Sequence, residues 1–363
     1  MERAHAELIR RAHTRFDYTV FSSELDPELR PLVRWRRVAV PARPIPLRQM
    51  AFFARVSVPL ARADVDLVHS LGAVAPNHAD VITVSFCHAG SRSKTGKLAP
   101  AGSPLTRRAN TTIARGMAIC AERFCYRPQR VRVLAGVSPG LVRELDEHYG
   151  AVRAELTPNG VDLGRFRPRA TVRESLRAAE GVAEDDVVCL FVGGDWNRKG
   201  LAILLEAMAH PEAPRSLRTW VVGRSNLGRF AGLASSLGVA DRVRFVGRRS
   251  DVERFYQAAD VFVLPSAYET FSLAAHEAAA TGLPIVATQV NGVEDLVGDG
   301  EAGIPVERTS GAVAAALSTL AGDPALRARL GEEARRRVSR LTWDNAVASI
   351  LALYEELLER RPT

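Results

Sequence analysis

Two glutamates eight residues apart, Glu269 and Glu277, stand in the stretch Pro265-Ser-Ala-Tyr-Glu-Thr-Phe-Ser-Leu-Ala-Ala-His-Glu277. It follows an apolar run of strand length at 261–264, and the ends of parallel strands are where such sheets bind ligands. Thr270 or Ser272 is expected to cap the helix that follows, and Gly282 and Pro284 to end it. A helix starting there leaves the backbone N–H groups of Phe271, Ser272 and Leu273 as free donors, an anion site. Eight helical residues advance about 12 Å and return to within a quarter turn. The pair therefore suits a ligand with phosphate at its middle and hydroxyls at both ends, one carboxylate gripping each end. The plain alternative is two glutamates on an amphipathic helix. Ala274, Ala275, Ala278, Ala279 and Ala280 speak against it, because they mark a buried helix, where unpaired carboxylates are costly.

A second constellation is Phe191-Val-Gly193-Gly194-Asp-Trp-Asn-Arg198-Lys199-Gly200. An apolar strand ends in two glycines, and adjacent cations are expected at the start of the next helix. Cations there oppose the helix dipole unless an anion is bound nearby. Only Lys94, Lys97 and Lys199 interrupt an otherwise all-arginine set of cations, and Lys199 is the one lysine of the C-terminal half. A compact ammonium beside a planar guanidinium suits a diphosphate. A solvated basic turn is the alternative.

The elements that must position these residues alternate. Strand-length apolar runs occur at 187–192, 219–223, 243–246, 261–264 and 285–288, with helical patterns at 201–209, 228–237, 251–258 and 271–281. Continuous apolar strands separated by amphipathic helices imply a parallel sheet covered on both faces. The first half repeats the pattern more faintly, with strands expected at 18–21, 66–69, 81–86 and 131–137 and helices at 2–13, 47–62 and 106–125. Residues 150–168, rich in Gly, Pro and Asn, read as a hinge. Two helices, 324–340 and 343–361, close the chain, the last with an apolar stripe of Val347, Ile350, Leu351, Tyr354 and Leu358 that must be buried.

The chain opens on a helix where a doubly wound domain opens on its central strand and a Gly-rich turn. Without that strand the sheet carries unpaired backbone. The sequence is therefore expected to start about 15 to 25 residues inside a longer one, by the usual length of a strand and turn.

With 363 residues, two domains are the prior. No apolar run reaches transmembrane length, and no secretory leader opens the chain. Cys87, Cys120, Cys125 and Cys189 have no metal spacing and read as reduced, mostly buried thiols of a cytoplasmic protein. Residues 1–155 hold 24 Lys+Arg against 14 Asp+Glu, and the remainder 25 against 27. The basic excess lies in the first half, which points to an anionic partner there or to an arginine-coated surface. In the helix at 47–62, Arg48, Arg55 and Arg62 lie seven apart beside Met50, Phe52, Phe53 and Val58. An interfacial helix on anionic lipid fits this pattern. A domain helix with its apolar face buried is the reading expected here.

Together the two constellations resemble the retaining glycosyltransferases of family 4. The resemblance runs from about Glu122 to the C-terminus and is strongest over 187–297. Glu269 and Glu277 match the family's pair of glutamates with seven residues between, Thr157-Pro-Asn-Gly-Val-Asp162 its hinge, and Val137-Ser138 a further element. Asn291-Gly-Val-Glu294 replaces the more usual Gly-Gly-x-x-Glu. Where the family often has Arg after the first loop glycine this chain has Gly194, so the phosphate grip falls to Arg198 and Lys199, as in the lipopolysaccharide-core glucosyltransferases that the loop resembles.

The resemblance implies the GT-B fold, two Rossmann-like α/β domains facing across a cleft, the N-terminal one here lacking its first strand. The N-terminal domain would comprise 1–155 with the helix 343–363 packing back on it, and the nucleotide-sugar domain 156–342. Glu277 would bind ribose hydroxyls; Glu269, Thr270 and the amides of Phe271, Ser272 and Leu273 would hold the sugar and its phosphate. Gly193, Gly194, Arg198 and Lys199 would take the diphosphate, and Gly247 and Arg248 would border the base. His88 stands where many members carry a functional histidine near the sugar and is the second candidate catalytic residue beside Glu269. His69, in Asp-Leu-Val-His69, resembles a structural strand end. Asp64-Val-Asp66 spells the metal signature of a different glycosyltransferase fold but precedes its strand, so it reads as a solvated turn.

The implied activity is a metal-independent, retaining hexosyl transfer from a UDP- or GDP-sugar, with no cofactor. The acceptor would be a saccharide, a lipid-linked or a small-molecule hydroxyl, and the protein cytoplasmic, with peripheral contact at an anionic membrane held open. The competing reading is a catalytically inactive nucleotide-sugar binder or a truncated form. A nucleic-acid partner is not expected, since only the basic pI speaks for it. A dehydrogenase is disfavoured because no GxGxxG follows a strand.

Overall fold

The computed structural model describes residues 2–96 and 105–360; Lys97 and Arg361 lie outside them. The chain divides into two compact units, Met1–Gly160 with Trp343–Thr363, and Val161–Thr342.

In the N-terminal unit β1 (Thr19–Ser22) and β2 (Arg34–Arg37) form a parallel pair. A separate parallel sheet runs β3 (His69–Leu71), β4 (Ala79–Val84), β5 (Val131–Gly136), β6 (Arg153–Leu156) in that order. Among the described residues no ladder joins the two sheets, so β1 and β3 each have one bonded neighbour. A cavity of about 2670 Å³ is lined by Val20 and Phe21 of β1, His69 and Leu71 of β3, and Leu8 and Ile9 of helix Glu2–Ala12. Helix Trp343–Glu359 buries Val347, Leu351 and Tyr354 against Leu8, Ala12, Val81 and Val133. His69 is locked there by the Tyr354 hydroxyl and by Thr83 Oγ1 at 2.7 Å, and burial holds its pKa well below the usual histidine value. It is a packing residue.

Several expectations need correction in this unit. The segment 150–168 is not all hinge, because β6 pairs with β5 from Val133↔Arg153 to Gly136↔Leu156. Its Arg-Ala-Glu-Leu sequence carries no apolar alternation; edge pairing, not periodicity, makes it a strand. The Arg-Trp-Arg-Arg strand β2 escaped notice for the same reason. His88 opens helix His88–Thr95, an element not anticipated from the sequence. The helix expected at 47–62 runs Ile45–Ala61, and Val56 is its one buried residue, while Leu47, Met50 and Val58 are about half exposed. Its apolar face is therefore not buried.

The C-terminal unit holds β7 (Val187–Val192), β8 (Leu217–Val222), β9 (Val243–Gly247), β10 (Val261–Leu264), β11 (Ile285–Ala287) and β12 (Gly303–Pro305). All pair in parallel in the order β12-β11-β10-β7-β8-β9. Alternation sends Val188, Leu190, Phe262 and Ile285 to one core and Cys189, Phe191, Val263 and Val286 to the other. Both faces are covered, which is why these strands read as unbroken apolar runs. The chain winds from β7 out to β9, then crosses back to β10 beside β7. That reversal is the switch point at which open parallel sheets take ligands.

Candidate active site

Three glycines clear the carboxyl edge of the sheet. Gly193, Gly223 and Gly247 follow or end neighbouring β7, β8 and β9 at φ of 148°, 130° and 79°, a region that favours glycine. A Cβ on Gly223 would lie 2.1 Å from Gly193 O, and one on Gly193 would lie 2.4 Å from Lys199 Cδ and Cε. Side chains are excluded, so a ligand can approach the backbone and the lysine. Gly194 is exposed beside this edge, and so is Arg248 just past β9.

After Gly194 the chain makes one helical turn, Trp196–Lys199, capped by the Asp195 carboxylate, which accepts from Arg198 N at 3.3 Å. Arg198 and Lys199 therefore end a helical turn, where the dipole favours cations, rather than beginning one. Across Gly200 they also directly precede helix Leu201–Met208, the start expected from the sequence, whose dipole opposes cations. What holds the cations is Glu269, whose Oε1 lies 2.8 Å from Arg198 Nη1 and 3.1 Å from Lys199 Nζ, and accepts from Ser266 Oγ at 3.1 Å. Arg198 also donates to Tyr268 O. The loops after β7 and β10 are further joined by Ala267 N to Arg198 O at 2.8 Å, and Arg308, from beyond β12, bridges them through Nε to Pro265 O at 3.1 Å and Nη2 to Asn197 O at 3.4 Å.

Glu269 is 7% exposed and Lys199 9%. Burial alone would raise the carboxyl pKa, but Lys199 and Arg198 outweigh it and hold Glu269 below the usual carboxylate range. Asp195 Oδ2 also lies 3.5 Å from Arg198 Nε at the solvent side, so Lys199 is paired through Glu269 alone while Arg198 is shared between two carboxylates. Glu269 itself sits in the turn after β10, off the helix, so it and Glu277 do not share one helical face.

The helix after that turn runs Leu273–Ala280, two residues later than expected. Ser272 precedes it at φ 60°, the one non-glycine with positive φ among the described residues, and caps nothing with its side chain. Its Oγ is buried without a hydrogen-bond partner. The donors left by the helix start are thus the N–H groups of Leu273 and Ala274; Thr270 and Phe271 lie in the turn before them. Glu277, 8% exposed, lies one turn along and accepts from the Tyr256 hydroxyl at 3.1 Å.

His276, unremarked in the sequence, secures this start. Its ring stacks on Phe271 at 3.8 Å, and Nδ1 donates to Ser272 O at 3.0 Å. Burial lowers its pKa to about 4, whereas an unfolded histidine titrates near 6.5. The unfolded chain therefore takes up the proton first. The stability that neutral His276 confers is whole above pH 6.5 and is lost as pH falls toward 4, on the order of 3 kcal/mol. Urea midpoints measured between pH 7 and 4 should fall, and H276L should flatten that part of the curve.

His88 lies in the N-terminal unit. Glu122, 2% exposed, accepts from His88 N at 2.8 Å, His88 Nδ1 at 2.7 Å, Ala89 N at 3.2 Å and the Tyr149 hydroxyl at 2.9 Å. One buried carboxylate thus closes the start of helix His88–Thr95 and fixes the ring. A neutral imidazole donating from Nδ1 presents Nε2 as an acceptor. The structure accordingly brings Gly193, Arg198, Lys199 and Glu269 together and sets Phe271, Ser272, Leu273 and Glu277 on the helix start that follows. Sequence reasoning missed Tyr256, Arg308 and Glu122, whose partners lie tens of residues away, and Ser266 and His276, whose partners in the turn are near in sequence but follow no regular spacing. Gly223 alone had a readable signal, a glycine ending an apolar strand.

A family model described as "Glycosyl transferases group 1" matches residues 172–337, and one described as "Glycosyltransferase Family 4" matches residues 1–165. A D-inositol 3-phosphate glycosyltransferase of Streptomyces bingchenggensis is 39% identical over 232 residues, 59% of this chain and 50% of that protein. The chain spans about half the length of this and similar curated relatives. A D-inositol 3-phosphate glycosyltransferase of Xylanimonas cellulosilytica is 33% identical over 319 residues, 82% of this chain and 73% of that protein. Among solved structures, WaaG, a glycosyltransferase involved in lipopolysaccharide biosynthesis, matches with a TM-score of 0.80 at 22% identity, covering 96% of this chain and 95% of its own. Anabaena Alr3699/HepE in complex with UDP-glucose matches at 0.74 and 19% identity, covering 98% and 95%. At such identities the likeness is one of fold, the α/β fold of parallel sheets named GT-B above. With a third of its residues shared over most of a curated relative, and two models meeting end to end along it, the chain belongs to glycosyltransferase family 4.

Proposed function

We propose that this chain transfers a hexosyl group from a nucleotide-diphospho-sugar to a hydroxyl acceptor, with retention at the anomeric carbon. The observation that supports this most is the pair Arg198 and Lys199, held by Glu269 below a glycine-cleared sheet edge. As the sugar C1–O bond breaks, charge develops on the leaving diphosphate. Preorganised cations in a dry site stabilise such charge without reorganising. They would supply what a divalent ion supplies elsewhere, so no metal is required on this reading. The acceptor oxygen would form the new bond to C1 from the face the diphosphate leaves, giving its proton to a diphosphate oxygen.

Glu269 then orients the cations as well as meeting the sugar, and the N–H groups of Leu273 and Ala274 would share the phosphate. Glu277, steadied by Tyr256, would accept from the ribose hydroxyls. His88, oriented by Glu122, would accept a hydrogen bond from a sugar or acceptor hydroxyl at Nε2, with no proton transferred to it. The UDP and UDP-glucose complexes of the Anabaena neighbour support a uridine donor, and the D-inositol 3-phosphate glycosyltransferases support a small phosphorylated acceptor.

A second reading, nucleotide-sugar binding without transfer, is favoured by the divided sheet of the N-terminal unit. Incubating the protein with UDP-glucose or a GDP-sugar and following release of the nucleoside diphosphate separates the two. Release stimulated by an acceptor such as inositol phosphate is the expected result; tight binding without release supports the second reading.

A further inference from the structure

Helix Ile45–Ala61 is held by one face only. Val56 is buried, and the Phe53 ring meets Phe124 at 6.2 Å. Leu47 and Val58, on the other side, are 49% and 53% exposed, and Met50, between the two sides at the border of the cavity that Phe53 and Val56 line, is 57% exposed. At 100° per residue these three fall within about 40° of one line, and Arg48, Arg55 and Arg62 form an exposed row beside it. An exposed apolar stripe edged by cations is the reverse of a helix packed on its own domain. Arg48 donates to Ser23 Oγ at 3.2 Å and lies 3.9 Å from Glu24, itself 87% exposed; Arg55 donates to Ala39 O. Both cations keep donors to spare. From Arg34 to Arg62 the chain carries seven arginines and no acid.

We propose that helix Ile45–Ala61 docks the N-terminal unit on an anionic lipid bilayer, lying in the interface with Leu47, Met50 and Val58 inserted and the arginine row among the headgroups. Charge complementarity selects this occupant. A protein partner of the stripe would leave a dense row of cations to neutralise, which a leaflet of anionic lipid does without specific pairing. The helix lies on the membrane and does not cross it, as no described helix is long and apolar enough to span one. The proposal does not depend on the sugar-transfer reading, since none of these residues belongs to the C-terminal unit.

Sedimentation with vesicles of phosphatidylcholine containing one third phosphatidylglycerol tests it. The full chain should pellet with these vesicles, weakly with phosphatidylcholine alone, and less as salt rises. Each cation near an anionic leaflet strengthens partition by about fivefold, so R48Q/R55Q/R62Q should weaken it by roughly a hundredfold. L47S/M50S/V58S should weaken it at least tenfold while thermal melting stays unchanged, because these side chains are already in water. No pelleting with anionic vesicles, or retention by both variants, overturns the proposal. So does a dimer that L47S/M50S/V58S dissolves without any lipid effect, which would make the stripe a contact between copies.

Discussion

Replacing Lys199 by methionine is expected to lower the rate of sugar transfer by roughly 10² to 10³-fold, the cost of losing one preorganised group aimed at developing charge. Methionine fills the channel beneath Gly193 that the lysine stem occupies, so the loss is of charge and not of packing. Glu269 keeps Arg198 and Ser266, and the destabilisation should stay at about 2 kcal/mol, below that of a buried pair broken outright. Steady-state kinetics with UDP-glucose beside a urea titration separates the effects. A fall in turnover matched by unfolding at the assay temperature would contradict the assignment, and so would turnover within threefold of the parent. Arginine should not rescue, because a planar fork does not fit a channel shaped to a straight stem.

E277Q is expected to act differently. The carboxylate sits on a buried helix, accepts from Tyr256, and on this account accepts from two ribose hydroxyls. Removing its charge costs about 1.5 to 3 kcal/mol of charge-assisted hydrogen bonding. UDP and UDP-glucose should therefore bind some ten- to a hundredfold more weakly, with turnover at saturation changed far less than in K199M. Y256F should reproduce a fraction of the defect, because it frees the carboxylate without discharging it. Calorimetric titration of UDP into each variant measures this. Equal binding by E277Q and the parent would remove Glu277 from the donor site.

The C-terminal sheet was legible because its strands are buried on both faces: 187–192 and 261–264 coincide with the observed Val187–Val192 and Val261–Leu264. Faintness in the N-terminal unit has a physical source. β2 and β6 are polar strands stabilised by a neighbour's backbone, a contact no local pattern records. The residues of the phosphate site were readable, since glycine, lysine and glutamate stand out at strand ends. Their mutual geometry was not. Spacing placed Arg198 and Lys199 just before the helix that starts at Leu201, but gave no sign of the separate turn that Asp195 and Gly200 close around them. It set Ser272 as a capping hydroxyl, whereas its φ of 60° turns the hydroxyl aside and His276 takes over the fixing of that turn. Helix Ile45–Ala61 shows the same limit. Its periodicity revealed an apolar side, but only its neighbours decide whether that side is covered.

The claim on which the rest depends is that the loop after β7 and the helix start after β10 grip a pyrophosphate. Titrating uridine, UMP and UDP separately into the full chain, followed by calorimetry at fixed salt, tests it most directly. The account predicts that most of the affinity arrives with the second phosphate, and that K199M removes the advantage of UDP over UMP while leaving uridine binding unchanged. Equal affinities for UMP and UDP in the parent protein would contradict it.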